Sequence, residues 1–101
     1  MKSIARQKEI HKRLRILLPN ANMEDFLAVA ETALSGHLRH LPPSIAAWQG
    51  TTAYARHAYT DYDQFLKEGF DVESARHFVV VEINGKLAEW GCTQRLDVSS
   101  D

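Results

Sequence analysis

Cys92 is the only cysteine of the chain, so no disulfide can close within it and no metal site built on cysteine pairs is available. Apolar runs are short. Residues 78–81 (Phe-Val-Val-Val) fall far below the roughly 18 residues that a membrane span needs. The first residues are charged and show no apolar segment followed by small residues, so no signal peptide is readable and a cytoplasmic protein is expected. With 3 prolines and 5 glycines, the chain lacks the composition of a linker-rich, disordered or collagen-like protein. Neither sign of charge dominates, since 12 Lys/Arg against 13 Asp/Glu leave a net charge of −1. Chemistry-bearing motifs are missing too. There is no Gly-x-Ser-x-Gly elbow, no phosphate loop, no dinucleotide Gly-x-Gly-x-x-Gly and no His-Glu-x-x-His. No catalytic residue and no cofactor are therefore assigned.

What is present is an ordinary globular balance, 45% hydrophobic and 25% charged over 101 residues. That predicts one domain with one core across residues 1–101. Charge is unevenly spread. Six Lys/Arg against Glu9 give residues 1–15 a charge of +5, and six Lys/Arg against twelve acids give the remainder −6.

Helical spacing is the main periodic signal. Ile10, Leu14, Leu17 and Leu18 form one stripe of a first helix over 3–18, with Lys8, Lys12 and Arg15 opposite. Pro19-Asn20 ends it, and Asn22 with Asp25 three residues on predicts an N-cap for a second helix ending near Gly36. Residues 37–43 read as a loop before Pro42-Pro43, with Ser44 capping a third helix that carries Trp48, Thr52, Ala55, Tyr59 and Tyr62 and kinks near Gly50. Thr60 and Asp63 stand at capping-box spacing, which predicts Thr60 as N-cap of a short helix over 61–68 that stops at Gly69.

After Asp71, the stripe Ala75, Val79, Ile83, Leu87 and Trp90 predicts one continuous helix over 72–90, ended by Gly91. A hairpin over 77–92 is the rival, because residues 78–81 favour strands and Asn84-Gly85 is a hairpin dipeptide. Apolar-polar alternation is poor there, so the helix is preferred. The fold class is thus all-α, a bundle of about five helices, with α+β as the alternative. Residues 93–101 have no periodicity and read as a loose tail.

The pattern Ala53-x-x-Arg56-His57-x-x-Thr60-Asp61-Tyr62-Asp63-x-Phe65-Leu66-x-x-Gly69-x-Asp71-x-x-x-Ala75-Arg76-x-x-Val79, closing on Leu87 and Trp90, resembles the domain of unknown function family 2293. The resemblance implies a helical protein and brings no activity, cofactor or ligand. Ala58 and Tyr59 stand where the family often carries further basic or His residues, which thins the positive charge of the motif.

Arg56, His57, Tyr62 and Asp63, with Arg76, are the candidate binding residues. Their structural alternative is that Thr60 and Asp63 serve a helix start, Tyr62 packs and Arg56 pairs with an acid. His57 and Asp61 are four apart and could share a helix face. His37 and His40 have metal-ligand spacing but no second pair, so no metal is assigned. Phe78 and Val81, with Ala88, project away from the stripe of the last helix. Either that helix runs through the middle of the bundle, or Phe78 and Val81 meet a second copy or a protein partner. The leading functional expectation is a non-catalytic helical interaction module. The alternative is a nucleic-acid accessory domain using Lys8, Lys12, Arg13 and Arg15.

Overall fold

Leu14 and Ile10 lie a turn apart on α1 (Ile4–Leu17) and are fully enclosed, as is Leu18 just beyond it. The computed structural model describes residues 4–97. Pro19 ends α1, and the Asn20 N–H donates to the Trp90 carbonyl at 2.9 Å, tying the first turn to the far end of the chain. α2 (Met23–Leu34) is capped as predicted, with the Asp25 N–H donating to Asn22 Oδ1 at 2.7 Å. Gly36 takes φ 59, and a 3₁₀ turn over Gly36–His40 replaces the expected loop. It buries Leu38, whose carbonyl accepts from Arg6 Nη2 at 3.0 Å.

α3 (Pro43–Tyr59) starts on Pro43 with Pro42 as cap residue, and no side chain caps it. Ser44 is therefore not the cap. Proline at the first helical position removes one of the orphan N–H groups and brings a φ already fixed for the helix, which favours the start without a side-chain cap. The helix also runs unbroken through Gly50. That glycine is required by packing: a Cβ there would stand 2.9 Å from the Ala33 Cβ and 3.0 Å from the Ala33 backbone. α2 and α3 meet closely at this point, and theirs is the most extensive helix pairing in the molecule.

α4 (Tyr62–Lys67) and α5 (Val72–Phe78) are short, and the Asp71 side chain caps α5 by accepting from the Ser74 N–H at 2.7 Å. α6 (Val80–Glu89) follows after a single residue, Val79, at φ −111 and ψ 7. The predicted continuous helix over 72–90 is thus broken, although no hairpin replaces it. Two effects converge on Val79. Three successive valines lose side-chain freedom in a helix, and a stripe repeating every four residues drifts about 40° per step from a straight helix. Breaking at Val79 lets both halves reach the core, and Ala75, Val79, Ile83, Leu87 and Trp90 are all buried.

Among the described residues the fold is all-α, six α-helices and one 3₁₀ turn. The segment after Gly91 is also better held than expected. The Leu96 N–H donates to Asn84 Oδ1 at 2.8 Å, Asn84 Nδ2 donates to the Leu96 carbonyl at 3.1 Å, and Leu96 packs against the core.

Candidate functional site

The motif residues occupy the corner where α3 gives way to α4. Thr60 does not open α4. It closes α3 in extended geometry, its hydroxyl donates to the Arg56 carbonyl, and it accepts from the Tyr62 N–H at 3.1 Å. Asp61 occupies the cap position of α4, and its side chain caps nothing. The helix starts one residue later than a Thr60 cap requires, so Asp63 is free to turn elsewhere. It meets His57: Nδ1 lies 2.8 Å from Asp63 Oδ1, in place of the His57–Asp61 contact that spacing proposed. Both side chains are exposed, where such a pair contributes little to stability.

Tyr62 is buried and receives neighbours on two sides. The His57 ring packs edge-on with centroids 5.3 Å apart, and the Arg56 guanidinium carbon lies 5.6 Å from the Tyr62 ring centroid. Arg56 does not pair with an acid. Its Nε is enclosed with no hydrogen-bond partner among the described residues, and burial holds its pKa below the ordinary value, with the charge of Arg76 adding to the effect. Arg76, exposed on α5, completes the set.

Next along the chain, Phe65, Phe70 and Phe78 form a closed aromatic triad. Ring centroids are 5.9 Å apart for Phe65–Phe70, 5.2 Å for Phe65–Phe78 and 5.1 Å for Phe70–Phe78, all near edge-to-face. Phe78 is 46% exposed, Phe70 44%, and Val81, three residues beyond Phe78, is 70% exposed. These side chains are therefore not the interior of a central helix. The break at Val79 leaves Phe78 on the α4–α5 surface.

A buried carboxylate network is the feature that sequence reasoning missed. Asp25, one turn into α2, accepts from the Tyr59 hydroxyl at 2.7 Å, the Tyr54 hydroxyl at 2.8 Å and the Trp90 indole N–H at 3.3 Å. Lys86 Nζ sits 4.0 Å from the Tyr59 ring centroid. Burial pushes the Asp25 pKa up, but the hydrogen bonds from Tyr59, Tyr54 and Trp90 and the charge of Lys86 together outweigh it, and the net shift is downward. The phenols move the other way, Tyr54 mainly through burial and Tyr59 mainly through its bond to Asp25. A carboxylate held ionised by donors held protonated has no proton to exchange near neutral pH, so the network joins α2, α3 and α6 as structure.

The remaining candidates lie elsewhere. On α1, Arg13 pairs with Glu9 at 2.9 Å and Arg15 lies over the Phe26 ring at 5.2 Å, while Lys8 and Lys12 are exposed. His37 and His40 are exposed, and no group of three or more potential metal ligands occurs among the described residues. A depression of about 430 Å³ opens between α1 and α3, lined by Arg13, Ile16, Ile45, Trp48 and Gln94 among others and by none of the motif residues. No helix among the described residues is long and apolar enough to cross a membrane.

No curated protein and no solved structure matches the chain. A family model described as "Uncharacterized conserved protein (DUF2293)" matches residues 13–91, which takes in α2 to α6 and all five motif residues. The chain belongs to the DUF2293 family.

Proposed function

We propose that the chain is a non-catalytic helical interaction module that associates with a second copy of itself through the Phe65–Phe70–Phe78 triad and the neighbouring Val81. The observation carrying this reading is that two of the three rings stand nearly half in water while packed on one another. Folding alone gains little from that arrangement, and a clustered apolar surface marks a contact site. A second copy suits the charges around the triad. Lys67, Arg76 and His77 lie among Glu68, Asp71, Glu73 and Glu82, so a two-fold axis can set charges of opposite sign across from one another.

The exposed parts of Phe70 and Phe78 amount to roughly 200 Å², taking about 150–250 Å² for a whole aromatic side chain. That is well below the roughly 800 Å² per partner of a standard interface, so the expected association is weak. Light scattering from tens to several hundred micromolar should show wild type approaching a dimer as concentration rises and a folded monomer throughout for Phe78→Asp. A wild type that stays monomeric overturns the reading. If it instead shows salt-dependent retention on DNA, lost when Lys8 and Lys12 are neutralised, the nucleic-acid alternative replaces it.

A further inference from the structure

We infer that the outward face of α1 docks an acidic amphipathic helix of another protein. The starting point is charge without compensation. α1 carries five Lys/Arg against Glu9, and Glu9 is taken by Arg13 at 2.9 Å. Lys8, Lys12 and Arg15 are exposed, and among the described residues they pair with no acid. Their spacing of four and then three residues sets them in one row along the helix. Isoleucines stand at either end of that row. Ile4 is 69% exposed and Ile16 74%, about 18 Å apart along the axis at 1.5 Å per residue.

Ile16 is also the wall that two depressions share. One, of about 430 Å³, lies between α1 and α3 and is lined on the α3 side by Ile45 and the half-buried Trp48. The other, of about 610 Å³, runs along α1 past Arg15, Lys12 and Lys8 to Ile4. An apolar groove beside a basic row has a definite complement: a helix with one apolar stripe to fill the groove and carboxylates a turn apart to meet the cations. Other polyanions fit less well. A nucleic-acid backbone would use the cations but gains nothing from the isoleucines. A lipid surface would take the isoleucines, but a flat boundary does not enter the depression where Trp48 and Ile45 lie. This face is separate from the phenylalanine triad, since α1 packs on α2 and α3 and makes no contact with α4 or α5.

Fluorescence polarisation of a labelled peptide, titrated with the full chain, tests the site. The probe is a helix-forming peptide of about 18 residues, with leucines at i, i+3, i+4 and i+7 and glutamates on the flanking positions. Saturable binding in the micromolar range is expected, weakening as salt rises. The Lys8→Gln, Lys12→Gln double variant, changed only at exposed positions, should weaken it about tenfold and flatten the salt dependence. Ile16→Ser should also weaken it about tenfold, with the salt dependence unchanged, because it removes apolar burial alone. Phe78→Asp should bind the probe as wild type does, so the fate of the triad does not decide that of α1. The inference fails if the probe does not saturate by about 1 mM, if Ile16→Ser binds as wild type does, or if duplex DNA or phosphatidylserine vesicles bind more tightly than the probe. It fails equally if the double variant turns a wild-type dimer into a monomer, since a second copy then covers the face.

Discussion

Asp25 sits three residues after the Asn22 cap, where an acid is favoured by the helix N-terminus alone, and that local role hides its larger one. Its carboxylate joins three donors from positions 29 to 65 residues away, and no periodicity connects such positions in a sequence. The cap itself was legible because both its partners lie within one turn. Asp25→Asn keeps the shape but replaces one acceptor oxygen with a donor facing a phenol or an indole N–H. Urea unfolding at pH 7 should show a loss of about 2–4 kcal/mol; a loss below about 1 kcal/mol would mean that the network is incidental. The pH dependence has a definite sign. The folded pKa of Asp25 lies below its ordinary 3.8, so its charge stabilises the fold above that value and the contribution is lost as pH falls through the folded pKa. The stability gap between wild type and Asp25→Asn should hold level from pH 8 to pH 5 and narrow below about pH 4.

Helices were readable where a stripe and a stop signal agreed, as in α1 and α2, and misread where one residue type carried two meanings. Gly50 lowers helix propensity, which suggests a kink, yet α3 continues through it and sets the glycine against Ala33. Only the neighbouring helix reveals that purpose. Gly50→Ala therefore sets a propensity gain of about 0.5–1 kcal/mol against a Cβ placed 2.9 Å from the Ala33 Cβ and 3.0 Å from backbone atoms that cannot swing aside. Overpacking of this kind costs about 1–3 kcal/mol, so thermal melting should show net destabilisation; a stabilised variant would mean that the two helices separate without penalty. The Val79 break is the complementary case. Every position of its stripe was identified correctly, but the connection between α5 and α6 depends on how two halves share one core, and periodicity does not report that. Spacing alone likewise makes Thr60 and Asp63 a capping pair, whereas Thr60 ends the preceding helix and Asp63 binds His57.

At the scale of the whole molecule, the phenylalanine triad leaves Phe70 and Phe78 nearly half exposed among the described residues. The triad has a thermodynamic consequence that does not depend on seeing a dimer directly. With a net charge of −1 and a pI near 6.5, two copies meet with little long-range repulsion at neutral pH, and ionic strength should affect their association weakly. If association is coupled to folding, mass action makes the melting temperature rise with protein concentration. For a domain of this length the rise should be about 2–5 °C per tenfold increase once the concentration exceeds the dissociation constant. Phe78→Asp should melt at one temperature throughout the same range, and it should meet wild type at the dilute end, because Phe78 is half exposed in the single chain. A variant that melts well below wild type even at the lowest concentration would show that the triad stabilises the monomer. A wild type whose melting temperature stays flat from a few micromolar to several hundred would remove the triad as a site of self-association.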